Sequence, residues 1–187
     1  MTDPYQERYL AHQARKKRTL IEVMRARHSD RMFADRPVEP QTRAALLEVV
    51  DLAPSSCDRR GVSVRVVDTR DELALLGGLL VGGVGWVHRA PLVLLLFGSP
   101  LAYKAGDEIE YMPYLDSGVI VQQLLLRATD LGLAAAYINP NIRARDRDHF
   151  RAVFGDGVYT GAVAAGYSHP DSPDRLRHEQ REGVARA

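Results

Sequence analysis

A single cysteine, Cys57, excludes an intramolecular disulfide and sets a reducing cytoplasm as the expected compartment. Long apolar runs are missing too. The stretch Pro91 to Gly98 falls far short of the roughly twenty residues a spanning helix needs, and Met1 to Pro4 open no secretory apolar segment, so no membrane partner is expected. Charge of one sign is also absent. Lys and Arg number 25 against 24 Asp and Glu, a formal net charge of +1, so no global field recruits nucleic acid and any basic site has to be local. There is no internal repeat, no Walker-type phosphate loop and no G-x-S-x-G elbow for a serine hydrolase. The six histidines, and the acidic group Asp107, Glu108 and Glu110, lack the spacing of a familiar metal site.

What is present is an ordinary globular composition, 45% apolar over 187 residues, enough for one core in one domain. Leu20, Val23, Met24 and Arg27 recur at three and four residues and predict a helix from Tyr5 to Arg27. Its run Arg15-Lys16-Lys17-Arg18 reads as a solvated face, a basic interaction module being the alternative. A second helix is expected from Pro40, stopped before Pro54. Strands are expected at Val62 to Asp68, Leu92 to Phe97, "AAAYI" (134–138) and "TGAVAAGY" (160–167), with helices at Asp71 to Leu80, Tyr114 to Leu131 and Arg145 to Phe154. The helix from Tyr114 is apolar nearly all round, which marks a central buried element or a subunit interface. The tail from Ser168 is polar and charged. Together these give an α+β fold, a mixed central sheet flanked by helices on both faces.

Chemistry concentrates in two loops. Arg25, Arg27 and His28 fall where a helix ends, so their charge is explained by the helix dipole alone. Yet Ser29 and Arg31 follow at once, and such a set of donors could also hold a phosphate. The second loop is "APSSCDRRG" (53–61), common turn chemistry or a ligand-binding loop. Cys57 has Arg59 and Arg60 nearby to favour its thiolate but no histidine placed as its base, and "GGLLVGGVG" (77–85) reads as close packing or a turn.

Taken in order, Arg27-His28-Ser29-Asp30-Arg31 with Phe33, Pro37-Val38, a helix, and Ala53-Pro54-Ser55-Ser56 before a strand resemble the FMN-dependent nitroreductase family. The resemblance runs on through "YLDSGVIVQQLLLRATDLGLAAAYINP" (114–140) and "AVAAGYSHPDSPDRLR" (162–177), and spans about Leu20 to Arg177. It implies an interlocked homodimer with FMN at the interface, reduced by NAD(P)H and reoxidised by a small nitro, quinone or related acceptor, with the flavin and no side chain as the catalytic group. It also implies roles. Arg27 and Ser29 would contact the flavin phosphate, with His28 also among the cofactor-binding residues, Arg31 would reach the ribityl chain and pyrimidine edge, and Arg175 with Arg177 would close the phosphate site. Pro54, Ser55 and Ser56 would line the flavin from the partner chain, and Asn139 and Pro140, after Ile138, would pass its redox-active face.

The chain departs from the family's pattern after Pro54-Ser55-Ser56. Where relatives often carry Asn, Gln and Trp, this sequence has Asp58, Arg60 and Val62, and the region from Gly77 to Gly85 lacks an amide side chain for the pyrimidine. Arg59 and Arg60 would then bias the site toward an anionic substrate. A member that consumes flavin, or binds it without redox turnover, is the alternative.

Overall fold

The computed structural model describes residues 18–103 and 110–185. Of the helix expected over Tyr5 to Arg27, residues 5–17 lie outside that part, and the remainder starts afresh. Thr19 sits in extended backbone and caps α1 (Leu20–Ala26). Its hydroxyl accepts from the Glu22 amide while the Glu22 carboxylate accepts from the Thr19 N–H at 2.8 Å, a reciprocal box that begins a helix and so rules out one continuous through residue 19.

The other elements follow their sequence signals closely. Helix α2 (Pro40–Leu52) has Pro at its first position and ends just before Ala53 and Pro54. Strand β1 (Val62–Val67), helix α3 (Arg70–Leu79) and strand β2 (Leu92–Gly98) come next. Helix α4 (Met112–Asp130), strand β3 (Ala134–Ile138), helix α5 (Arg147–Phe154) and strand β4 (Val158–Gly166) complete the central layer. The polar tail folds as α6 (Pro173–Ala185).

The four strands lie in the order β1-β2-β4-β3. The mixed sheet expected from sequence is antiparallel at every strand pair, and its parallel component among the described residues is a single bridge, Ser29 to Ala135, on the β3 edge. Every residue of β2 is buried because both faces of the sheet are covered. Alternation then assigns its side chains: Val93, Leu95 and Phe97 pack with α3 and α5 residues such as Leu76 and Phe150, while Leu92, Leu94 and Leu96 pack with Leu46 of α2 and Leu124 of α4.

Helix α4 buries one face through Ile120, Val121, Leu124, Leu125 and Ala128. Its other face leaves Tyr111, Tyr114, Leu115 and Val119 exposed, and α1 likewise leaves Leu20, Ile21 and Met24 exposed. The all-round apolar character read from sequence therefore serves two surfaces. Among the described residues no helix is long and apolar enough to cross a membrane.

Where β2 ends, α4 begins against it so closely that a Cβ on Gly98 would lie 2.3 Å from Cβ of Pro113. Gly78, near the end of α3, has open space around it. Thermal or urea unfolding should show Gly98→Ala destabilised by about 1–3 kcal/mol through overpacking, with Gly78→Ala neutral or slightly more stable.

Candidate functional site

The basic stretch after α1 runs along the β3 edge. Asp30 N–H donates to the Ala135 carbonyl (3.2 Å), Ala34 N–H to Tyr167 O (2.8 Å) and His169 N–H to Met32 O (2.9 Å). Asp30 is the anchor. Its side chain is completely buried, accepting from Ser168 Oγ and Ser172 Oγ at 2.6 Å each and from the Met32 amide at 3.0 Å. His28 Nε2 stands 3.8 Å from Asp30 Oδ2, too far for a hydrogen bond and close enough for strong attraction, while Nδ1 meets the Ala26 carbonyl at 3.1 Å. Nε2 itself is buried without a hydrogen-bond partner.

These contacts set the ionisation of both groups. Burial alone would raise the Asp30 carboxyl, but its contacts with His28, Ser168, Ser172 and the Met32 amide outweigh burial and hold it far below the usual carboxylate range. The Asp30 carboxylate in turn raises the His28 imidazole above its ordinary 6.5, with the Ala26 carbonyl helping and burial opposing.

Because Ser172 precedes α6, the Asp30 anchor brings that helix over the basic stretch. Arg27, His28, Ser29, Asp174, Arg177, His178 and Arg181 line one cavity of about 360 Å³. His28 and His178 stack with ring centroids 4.5 Å apart and planes 16° from parallel. Asp174 pairs with Arg177 (2.5 Å) and Arg31 (3.4 Å), and Arg31 also lies 5.9 Å from the centre of the Trp86 ring. The lining holds three arginines against one aspartate, so the cavity suits an anion with several hydrogen-bond acceptors.

Of the residues singled out from sequence, Arg27, His28, Ser29 and Arg177 thus converge, with Arg31 at the edge through Asp174. Arg175 is engaged elsewhere, donating to Glu179 (2.7 Å) and to the Pro170 carbonyl. Asn139 and Pro140 follow β3 at its other end, where Asn139 Oδ1 is 3.3 Å from the point a Cβ on Gly82 would occupy. Pro54 and Ser55 line a separate crevice of about 50 Å³ with Arg60 and Asp116.

That second loop has an anchor of its own. Asp116 of α4, 5% exposed, accepts from Ser56 Oγ (2.9 Å), the Ser56 amide (3.1 Å) and the Tyr103 hydroxyl (2.8 Å). Burial first, and then the Asp116 carboxylate, push the Tyr103 phenol up to about 12. Held this way, Cys57, Asp58 and Arg60 adopt left-handed backbone with φ of 53°, 53° and 51°, a conformation costly for Cys and Arg. Arg60 bends back onto the Asp51 carbonyl (2.7 Å) and Asp58 (3.2 Å), and Cys57 is exposed and free.

Sequence reasoning missed Asp30 and Asp116 as anchors and His178 and Arg181 as lining. The last two carried a signal: Arg181 follows Arg177 by four residues and His178 by three, the spacings that share a helix face.

Comparison with known proteins identifies the fold. The model of the nitroreductase family matches residues 24–80, which hold both loops. No curated protein matches the chain. A nitroreductase family protein of Clostridium difficile superposes with a TM-score of 0.69 at 22% identity, over 88% of this chain and 92% of that one. An FMN-dependent nitroreductase of the same organism gives 0.68 at 24% identity, over 81% and 88%. A nitroreductase family protein of Streptococcus pneumoniae gives 0.69 at 18%, over 82% and 92%.

The sign of the two ionisation shifts makes a prediction. Raised His28 adds stability that is full below about pH 6.5 and is lost as pH rises through its folded value; depressed Asp30 adds stability above about pH 4 that is lost as pH falls. Urea midpoints should therefore fall between pH 6 and pH 8 in the natural chain and stay flatter in His28→Gln. Asp30→Asn should cost on the order of 3 kcal/mol at pH 6.

Helices on both faces of the β1-β2-β4-β3 sheet, with the basic stretch along its β3 edge, are the nitroreductase fold, and residues 24–80 of this chain carry that family's sequence pattern.

Proposed function

We propose that the chain is an FMN-dependent oxidoreductase, active as a homodimer, that carries hydride from NAD(P)H to a nitro, quinone or related acceptor by a ping-pong route. The observation that carries this reading is the cavity formed by Arg27, Ser29, Arg177 and Arg181, with buried His28 Nε2 beside it. Asp174 already answers Arg177, and a phosphate monoester would supply the charge and acceptor atoms that balance the remaining arginines, so the residues present fit the anionic end of FMN. Arg27 and Ser29 would hold the phosphate from the basic stretch, Arg177 and Arg181 from α6, and Arg31 would stand along the chain toward the ring. Asn139 and Pro140 would flank the reacting face. When bound, the flavin supplies the two-electron chemistry; the protein supplies position, charge and exclusion of water.

The second protomer has a physical argument of its own. Tyr111, Tyr114, Leu115 and Val119 on α4, with Leu20, Ile21 and Met24 on α1, leave apolar surface that two copies could bury against each other. Within one chain Pro54, Ser55 and Ser56 stand apart from the phosphate cavity, so a partner copy is the route by which that loop would meet the flavin. The loop is pre-formed for such contact by Asp116.

Purified protein loaded with FMN should be yellow, run at twice the chain mass, and bleach under anaerobic NADH or NADPH. Initial rates against both substrates should give parallel double-reciprocal lines. A colourless protein that ignores added FMN would support a binding role without redox turnover, and converging lines would remove the ping-pong route.

A further inference from the structure

A second cavity, of about 290 Å³, opens at the opposite end of β3 from the arginine-lined phosphate cavity. Arg147 and Arg151 project into it from successive turns of α5, and Phe150, Ile142 and Pro140 supply apolar wall. No acidic side chain lines it. Arg147 spends only Nε, on the Ile142 carbonyl at 3.5 Å, and Arg151 has no ion-pair partner among the described residues. Tyr159 forms the inner wall, 4.8 Å from the Phe150 ring, and its hydroxyl is buried without a hydrogen-bond partner. Burial pushes that phenol well up, so it stays protonated and can both donate and accept. Two cations at the rim and an aromatic and aliphatic wall are two separate requests, and one kind of molecule answers both.

The geometry points to a binding site for a small aromatic carboxylate, its acid group on Arg147 and Arg151 and its ring against Phe150 and Ile142. A planar carboxylate matches the guanidinium forks, and a ring gains from the wall what a free inorganic anion cannot. Pro140 belongs to both this wall and the segment expected at the flavin's reacting face. Resting on the flavin reading, the site would hold the acid group of the acceptor. The binding itself does not depend on that reading. Arg60 is tied to the Asp51 carbonyl and Asp58, and α5 offers a further pair of cations for the anionic substrate expected from sequence.

Calorimetric titration of the full chain, with and without added FMN, tests this with 4-nitrobenzoate, the neutral 4-nitrobenzyl alcohol and inorganic phosphate. The acid should bind at least tenfold more tightly than the alcohol. The exposed pair Arg147→Gln/Arg151→Gln should abolish that preference with circular dichroism unchanged. Equal affinity for acid and alcohol, an unaffected double variant, or phosphate displacing the acid at equal concentration would each overturn the proposal. Arginine-dependent binding in a protein that takes up no FMN keeps the site and removes the flavin reading. Reduction of acid and alcohol with the same KM keeps the flavin reading and removes the acceptor assignment.

Discussion

One buried carboxylate organises the candidate site. Asp30 has no solvent of its own, and its stabilising contacts join its own stretch, through the Met32 amide and the nearby His28 ring, to a distant one, through Ser168 just after β4 and Ser172 just before α6. A buried charge is tolerated only when such contacts are complete. Their completion forces the segment after α1 onto the sheet edge and seats α6 above it. Arg27 and Arg177 become neighbours as a by-product of satisfying a negative charge neither of them touches.

Asp116 repeats the device on the other side of the molecule. It holds Ser56 by both amide and hydroxyl, and three consecutive-region residues without glycine's freedom accept left-handed backbone as a result. Two buried acidic anchors therefore shape both loops matched by the nitroreductase pattern. The apolar faces of α1 and α4 supply the remaining element, a surface on which a second copy would unite them.

Much of the architecture could be read from residue order. The continuous apolar run of β2 and the boundaries at Pro40 and Pro54 are local signals, and the structure places those elements within a residue or two of them. The antiparallel sense of the sheet was not legible, because a continuous apolar run looks the same whichever neighbour it pairs with. Thr19 was overlooked as a helix start although Thr-x-x-Glu is its ordinary signature. At the site, clusters of arginine were visible and their anchors were not. A lone Asp in a basic stretch carries no sign that it will be buried; only the approach of Ser168 and Ser172, about 140 positions away by their numbers, decides that. Arg175 and Arg177 illustrate the same limit, since two positions on a helix point them to different partners.

The central claim is that the cavity under α6 receives a flavin's phosphate, and comparing FMN with riboflavin isolates that group. Fluorescence quenching titrations at constant ionic strength should give FMN about a hundredfold tighter binding, ~2.7 kcal/mol, with most of the difference gone in Arg27→Ala/Arg177→Ala. Equal affinities for the two flavins in the natural chain, or a preference for FMN that survives loss of both arginines, would contradict the account.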